Sequence, residues 1–337
     1  MKILAALEQR ALAAGAKGTH IELMLRAWLG GQGLDAFARH PAFAFPSSLL
    51  PALDGLTTLL DGVARTVSTH PSADGSCRLL IELADGLRVE SVLLDRGTLC
   101  VSTQVGCAVG CVFCKTGESG LLRNLEVSEV LAQVALARRM RRVIRVVFMG
   151  MGEPAHNLEA VLLATRYLGN AGQIAHKNLV FSTVGSRAVF ERLPAADVRP
   201  ALALSLHTTF ADKRRELLPR APGMDPASLV AAADTYAHRI HHPVQYQWTL
   251  LRGINDGDDE VARLIPLLLG RNAILNFIPY NRVQGFAFDR PAWDHGVAMV
   301  RKLRAAGIVA TVRRSGGQDV DGACGQLRAR SAGILPS

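Results

Sequence analysis

The sequence predicts an α/β fold: a partial barrel of about six strand–helix units, preceded by a β-hairpin and a small helical region. Three observations lead there. From Thr98 onward, short apolar runs rich in β-branched residues alternate with helical patterns, the rhythm of parallel βαβ units. Before them, CRLLIELADGLRVESVLL sets two alternating runs about Ala84-Asp85-Gly86, and Asp-Gly is a strong hairpin signal. Ahead of the hairpin, residues 1–72 read as helices and show no strand pattern.

In chain order, LEQRALAAGA, THIELMLRAWL and PSSLLPALDGLTTLLDGVARTV make residues 1–75 a helical accessory domain. A core follows over 76–328. It comprises the hairpin at 77–94, the partial barrel at 98–315 and a polar, glycine-rich loop at 315–328, with a tail at 329–337. Barrel strands are read at 98–104, 145–152, 178–185, 201–208, 244–251, 273–280 and 308–314. Between the first two lies SEVLAQVALARRMRR, a helix with Ser128 as its N-cap. Six units are too few for a closed eight-fold barrel. In such folds chemistry gathers where the strands end, and these strands end in polar or glycine residues: Thr103-Gln104, Gly150–Glu153, Ser182–Ser186, Ser205–Thr208 and Asn281.

The 337 residues are 49% hydrophobic and 20% charged, a globular and not a disordered composition. No run of eighteen apolar residues appears, so no membrane span is expected. Glu8 and Arg10 interrupt the apolar start MKILAALEQR, which is too short for a signal peptide, and a cytoplasmic chain is expected. The net charge is +9. The first 75 residues hold six basic and six acidic side chains, so 32 basic and 23 acidic residues lie beyond them. A polyanionic partner would use that excess, and so would plain solubility. RRMRRVIR (138–145) and KRRELLPR (213–220) carry five and four of its basic residues; each could contact phosphate, and a solvated helix face is the favoured reading of each.

Four of the six cysteines fall within TLCVSTQVGCAVGCVFCKTG. Cys107, Cys111 and Cys114 form C-x-x-x-C-x-x-C on the loop after the first barrel strand, a spacing that binds metal. A structural zinc site wants four ligands, which Cys100 or a histidine could complete. A 4Fe–4S cluster also takes four, so three thiolates leave one iron open to a small molecule. Phe113 gives the loop an apolar flank. The spacing resembles the radical S-adenosylmethionine (SAM) superfamily, in which the open iron binds SAM. At the end of the second strand, FMGMGEP allows close backbone approach at Gly152, and Glu153 could accept from the SAM amino group; read alone, it is equally a loop. Cys77 reads as an inert strand cysteine. Cys324, between Ala323 and Gly325, has no packing reason to be there.

The match then becomes specific. RVESV, RGTLCVSTQVGCAVGCVFCKTG, GLLRNL, FMGMGEP, STVG, SLH, GIND, NFIPYN and DVDGACGQL occur in order over residues 85–327 and resemble the RlmN/Cfr family of radical-SAM RNA adenine methyltransferases. The resemblance implies a partial (β/α)6 radical-SAM barrel holding one 4Fe–4S cluster on Cys107, Cys111 and Cys114. It implies two SAM molecules per turnover. The acceptor would be an sp² carbon of adenine, carbon 2 favoured over carbon 8, in ribosomal RNA or transfer RNA. Cys324 would take a methyl group as a thiolate, and a SAM-derived radical would abstract hydrogen from it. The methylene would add to adenine as a covalent protein–RNA adduct. Glu90 would remove the ring proton, and Cys100 would attack Cys324 to release product and leave a disulfide. Gly152, Glu153, Ser182, Ser205, Leu206, His207 and Asn281 would contact SAM. A reducing partner such as flavodoxin, a monomeric state and RNA contact by residues 1–75 complete the expectation. The rivals are a radical-SAM enzyme with another reaction and a zinc-bearing RNA-binding module.

Three places depart from the family pattern: Arg220-Ala221 stands for Ile-Asn, Gly316 for Arg, and Gln245-Tyr246-Gln247 for a Glu-Tyr pair. They bear on the RNA target more than on the chemistry.

Overall fold

The computed structural model describes residues 2–118 and 120–329; of the tail read at 329–337, residues 330–337 lie outside the described residues. Helices α1 (Lys2–Ala13), α2 (Gly18–Leu29) and α3 (Leu53–Asp61) open the chain. Each buries one apolar stripe at three- and four-residue spacing: Leu4, Leu7 and Ala11 on α1, then Met24 and Trp28 on α2, then Leu53, Leu56 and Leu60 on α3. These stripes belong to the same apolar core as the sheet.

The region expected to hold helices alone also contains a strand. β1 (Ala64–Pro71) pairs antiparallel with β2 (Cys77–Leu83), so the helical unit ends at Asp61. The expected hairpin is present: β2 turns at Asp85-Gly86 into β3 (Arg88–Leu93). Gly86 has φ +83°, a conformation glycine adopts without strain, and the Asp85 carboxylate accepts from the Leu87 N–H at 3.1 Å.

The run read as one strand at 98–104 is divided. β4 (Thr98–Cys100) enters the main sheet, while β5 (Gln104–Gly106) turns away and pairs with β6 (Leu121–Asn124) in a small ribbon that frames the cysteine loop. Helix α4 (Val127–Met140) follows. Its N-cap is Glu126 and not Ser128. The Glu126 N–H donates to the Glu129 carboxylate at 2.7 Å in a capping box, which leaves Ser128 buried in the first turn.

The rest is a regular alternation: β7 (Arg145–Phe148), α5 (Leu158–Gly169), β8 (Leu179–Thr183), α6 (Arg187–Arg192), β9 (Ala201–Ser205), α7 (Ala211–Leu217), α8 (Pro226–Ile240), β10 (Val244–Leu250), α9 (Asp258–Leu268), β11 (Ala273–Pro279), α10 (Trp293–Ala305) and β12 (Ala310–Val312). The ten-stranded sheet runs β1-β2-β3-β4-β7-β8-β9-β10-β11-β12. From β4 to β12 every neighbouring pair is parallel. Seven parallel strands joined by helical crossovers make six units and a closing strand, the expected partial barrel. Covered on both faces, β8 (LVFST) and β9 (ALALS) are almost wholly buried, which is why they read as continuous apolar runs. The antiparallel extension, β1 to β3, flanks β4, so the hairpin residue Glu90 lies beside the barrel's first strand.

Candidate active site

Above the C-terminal ends of β7 to β11 lies a cavity of about 160 Å³. Cys107, Cys111 and Cys114 line it, and so do Gly152, Glu153, Ser182, Ser205, His207 and Cys324. Nine residues from five segments spread over 218 positions, each singled out in the sequence, thus share one wall.

The cysteine loop is held by its own backbone. The Cys107 N–H donates to Gly120 O at 2.9 Å, and the Cys114 N–H to Cys111 O at 3.0 Å. At Gly117 a Cβ would lie 2.8 Å from the Gly110 Cα, so two glycines let the loop close on itself. Val109, Phe113, Leu217 and Leu218 form an apolar shell around it. Burial, and then the charge of neighbouring thiolates, pushes the Cys111 thiol well up; burial also raises Cys114, against hydrogen bonds from Thr116 and Gly117, and raises Cys107 to about 12 despite the Val109 N–H. Three thiols that resist ionisation together need a cationic centre, and an iron–sulfur cluster fits that donor set. Among the described residues no three His, Cys, Asp or Glu side chains converge on one metal ion.

Beside the thiols, Glu153 is buried and caps the segment after β7. Its Oε1 accepts from Thr183 Oγ1 at 2.5 Å and the Ala155 N–H at 3.0 Å, and its Oε2 from the Val184 N–H at 3.0 Å. Burial raises its pKa, and these donors oppose the rise. Gly152 has φ +102°, and a Cβ there would sit 2.6 Å from that of Gln104; only glycine lets the two strand ends approach. His207 is left-handed at φ +61°, an uncommon setting for a residue with a side chain. Its Nδ1 accepts from the Thr249 N–H at 3.0 Å, so the ring proton sits on Nε2. Burial, reinforced by Arg214, lowers its pKa to about 3, so the ring is a neutral donor. Phe113 packs edge-on against it at 5.0 Å.

Around the cavity, Gln247 Oε1, Tyr280 Oη and Asn281 Oδ1 are buried with no hydrogen-bond partner among the described residues. Gln247 and Tyr280 line the cavity. Orphaned polar atoms of this kind fit a polar ligand such as SAM.

Cys324 reaches the cavity on a loop stapled to the cysteine loop. The Lys115 N–H donates to Gly325 O at 2.7 Å, Thr116 Oγ1 to Leu327 O at 2.7 Å, and Asn281 Nδ2 to Cys324 O at 3.0 Å. The Cys324 thiol is exposed, and all six cysteines are free thiols. Cys100 lies beneath, at the end of β4. Burial pushes its thiol far above the ordinary range, the Cys324 charge pushes it further, and Arg313 opposes both. Cys77 is half-buried in β2, away from the site.

Besides Cys100, three expected residues stand apart from this wall. Leu206 is fully buried, and its backbone N–H donates to Gln247 O at 3.1 Å. Asn281 holds the Cys324 loop through its amide, also donating to Ser315 Oγ at 3.0 Å. Glu90 occupies a separate cavity of about 70 Å³. It is ion-paired with Arg78, and its Oε2 accepts from the Arg328 and Ala329 N–H groups at 2.7 and 3.0 Å. The hairpin thereby clasps the far end of the Cys324 loop. Arg78 Nε donates to Val320 O at 2.6 Å, and Asp74 accepts from the Gly317 N–H at 2.9 Å.

The departures and the basic segments acquire positions. Gln247 lines the cavity, and Arg220 lies against Gly110 of the cysteine loop. At Gly316 a Cβ would lie 2.7 Å from Ser76 Oγ and 2.9 Å from Leu94 Cδ2, so the hairpin leaves no room for arginine. Much of the basic segments is structural. Arg138 donates to Leu29 O, Val143 O and Gly172 O, Arg139 pairs with Asp61, and buried Arg214 donates to Val184 O and Ser205 O. Sequence reasoning missed the staples Lys115 and Thr116. Both act across more than two hundred residues, and only their place next to Cys114 hinted at a role.

The Radical SAM superfamily profile matches residues 101–265. A Leptothrix cholodnii protein named "Probable RNA methyltransferase" is 57% identical over 331 residues, which cover 98% of this chain and 95% of the relative. One of the same name from Pseudomonas aeruginosa is 58% identical over 327 residues, covering 96% and 94%. The crystal structure of a radical SAM methyltransferase from Sphaerobacter thermophilus superposes with a TM-score of 0.82 at 35% identity, covering 97% of this chain and 98% of that one. A radical SAM fold implies a 4Fe–4S cluster and SAM, and the three thiols and orphaned polar atoms fit both. No helix among the described residues is long and apolar enough to cross a membrane. With this fold, this thiol-lined cavity and relatives matched along nearly their whole length, the chain belongs to the radical-SAM RNA methyltransferases of the RlmN/Cfr family.

Proposed function

We propose that this RNA methyltransferase acts on an sp² carbon of adenine, carbon 2 before carbon 8, in ribosomal RNA first and transfer RNA second. Cys324 is the methyl carrier. The observation that supports this reading is its exposed thiol on the wall of the cavity that holds Cys107, Cys111 and Cys114. An electron-poor ring carbon cannot attack SAM as a nucleophile, so a thiolate that takes the methyl first solves the problem. Cys107, Cys111 and Cys114 would hold the cluster, which with SAM would supply one-electron radical chemistry.

The chain's residues do the rest. Cys324 accepts one methyl from a first SAM and, after hydrogen abstraction paid for by a second, carries the methylene onto the base. The neutral His207 donates through Nε2 into the cavity, and Glu153 keeps one carboxylate oxygen with spare acceptor capacity. Glu90 takes the ring proton once Arg328 and Ala329 leave its Oε2. With that proton the adduct also gives up its odd electron, returning the one spent in making the radical. The Cys100 thiolate then attacks the Cys324 sulfur; the sulfur–carbon pair leaves on the methylene carbon, which takes a proton to become the product methyl, and the resulting disulfide is reopened by a two-electron reductant. We assign electron supply to a flavodoxin-like donor and the working state to a monomer.

The test is the mass of tryptic peptide 315–328 from anaerobically purified, SAM-treated protein. One added methyl on Cys324 is expected. An unmodified peptide from protein with an intact cluster would overturn the methyl-carrier reading.

A further inference from the structure

Beside the Cys324 loop lies a second, wider groove of about 620 Å³, outside the cavity described above. Arg252, Arg282, Arg290 and Arg314 line it against a single carboxylate, Asp289. Arg282 pairs with Asp289 at 3.4 Å, and among the described residues no carboxylate pairs with Arg252, Arg290 or Arg314. All four arginines are exposed. In the same wall Trp293, the first residue of α10, keeps 40% of its surface exposed. The Arg314 guanidinium lies 4.9 Å from its ring centroid, so one ring face is covered by a cation and the indole is held in place.

Unpaired arginines interleaved with a fixed, exposed indole match the chemistry of a single-stranded nucleic acid: phosphates for the cations and base faces for the ring. The groove also leads to the chemistry. Arg282 lines both it and the small cavity of Glu90. Ser315 in its wall accepts from the Asn281 amide that holds Cys324 O. We infer that this groove binds the single-stranded RNA segment flanking the target base, with one flanking base stacked at Trp293 and phosphates on Arg252, Arg290 and Arg314. The inference rests on the reading of RNA as substrate and names where it docks.

The test measures binding of a fluorescein-labelled 12-nucleotide single-stranded RNA to the cluster-loaded, full-length enzyme by anisotropy, at several salt concentrations. The variants are Trp293→Ala, Trp293→Phe and the pair Arg252→Gln with Arg290→Gln. Trp293→Ala is expected to weaken binding about tenfold, with Trp293→Phe retaining most of it. The arginine pair is expected to weaken it about tenfold and to make the slope of log affinity against log salt shallower by about 1.4. SAM cleavage without RNA stays unchanged in all three, which excludes a folding defect. Variants that bind within twofold of wild type, with an unchanged salt slope, overturn the groove while leaving methylation intact. A wild type that binds no RNA overturns the groove and the RNA reading together.

Discussion

The side-chain amide of Asn281 lies 3.0 Å from the backbone carbonyl of Cys324, joining the segment after β11 to the loop that carries the proposed methyl carrier. The same amide reaches Ser315 Oγ, so one side chain ties the start of the loop to its thiol-bearing residue. Asn281→Ala should therefore slow methyl loading of Cys324 more than it slows SAM cleavage. A lost neutral hydrogen bond of about 1 kcal/mol corresponds to about fivefold. The rate at which peptide 315–328 gains a methyl, compared with 5′-deoxyadenosine release, checks this. Equal losses in both would show that Asn281 acts on SAM and not on the loop.

Glu90 is both a proposed base and a structural clasp, and a single substitution confounds the two. Glu90→Gln leaves the half-buried Arg78 guanidinium without its counter-charge, a change of about 2–4 kcal/mol in the unfavourable direction. Pairing it with Arg78→Met removes the orphaned charge and should restore most of the stability in a denaturant titration. Methylation should stay lost in the pair if Glu90 is the base. Recovery of activity with recovered stability would assign Glu90 to the clasp alone.

How far these roles could be read in advance depends on whether a signal is local. The parallel strands were legible because both faces of β8 and β9 are covered, and the cysteine ligands because their spacing is short. β1 was missed because it sits at the sheet edge: its residues alternate between half-buried and exposed, so Arg65, Thr69 and His70 carry no apolar period. The division of 98–104 into β4 and β5 depends on a β6 partner twenty residues away. The Glu90 clasp is a pairing over 238 positions, which no window of sequence contains.

Arg138 makes the same point. Within RRMRRVIR it resembles a phosphate ligand, yet it donates to Leu29 O at 3.0 Å, Gly172 O at 2.8 Å and Val143 O at 3.1 Å, joining α2, α4 and the end of α5. Arg138→Met leaves those carbonyls short of donors and should destabilise the protein by about 2–4 kcal/mol. The salt slope of RNA binding should not move. A shallower slope with unchanged unfolding would return Arg138 to the RNA surface.

His207 sets a pH dependence. Its folded pKa, near 3, lies below the ordinary 6.5, so the unfolded chain binds the extra proton between those values. The stabilisation is complete above about pH 6.5 and is lost as pH falls toward 3, at up to about 1.4 kcal/mol per pH unit. His207→Asn preserves an acceptor for the Thr249 N–H, and asparagine tolerates the left-handed backbone. It should flatten this dependence in the cluster-free protein, measured by denaturant midpoints from pH 4 to 7. It should also weaken SAM binding, since the Nε2 donor is gone. An unchanged pH profile would mean that the ring is not the buried neutral donor.

Cys100 should control release and not methyl transfer. Its thiol is held far above the ordinary range by burial and then by the Cys324 charge, so little thiolate exists at neutral pH. Below such a pKa the thiolate fraction grows about tenfold per pH unit. Single-turnover release of methylated RNA should therefore accelerate by about that factor per unit between pH 7 and 9. Cys100→Ala should accumulate a covalent protein–RNA species that resists denaturing electrophoresis, and Cys324→Ala should form none. A Cys100→Ala enzyme that turns over normally would assign adduct resolution to another group, and a Cys324→Ala enzyme that methylates RNA would remove the methyl carrier from the mechanism.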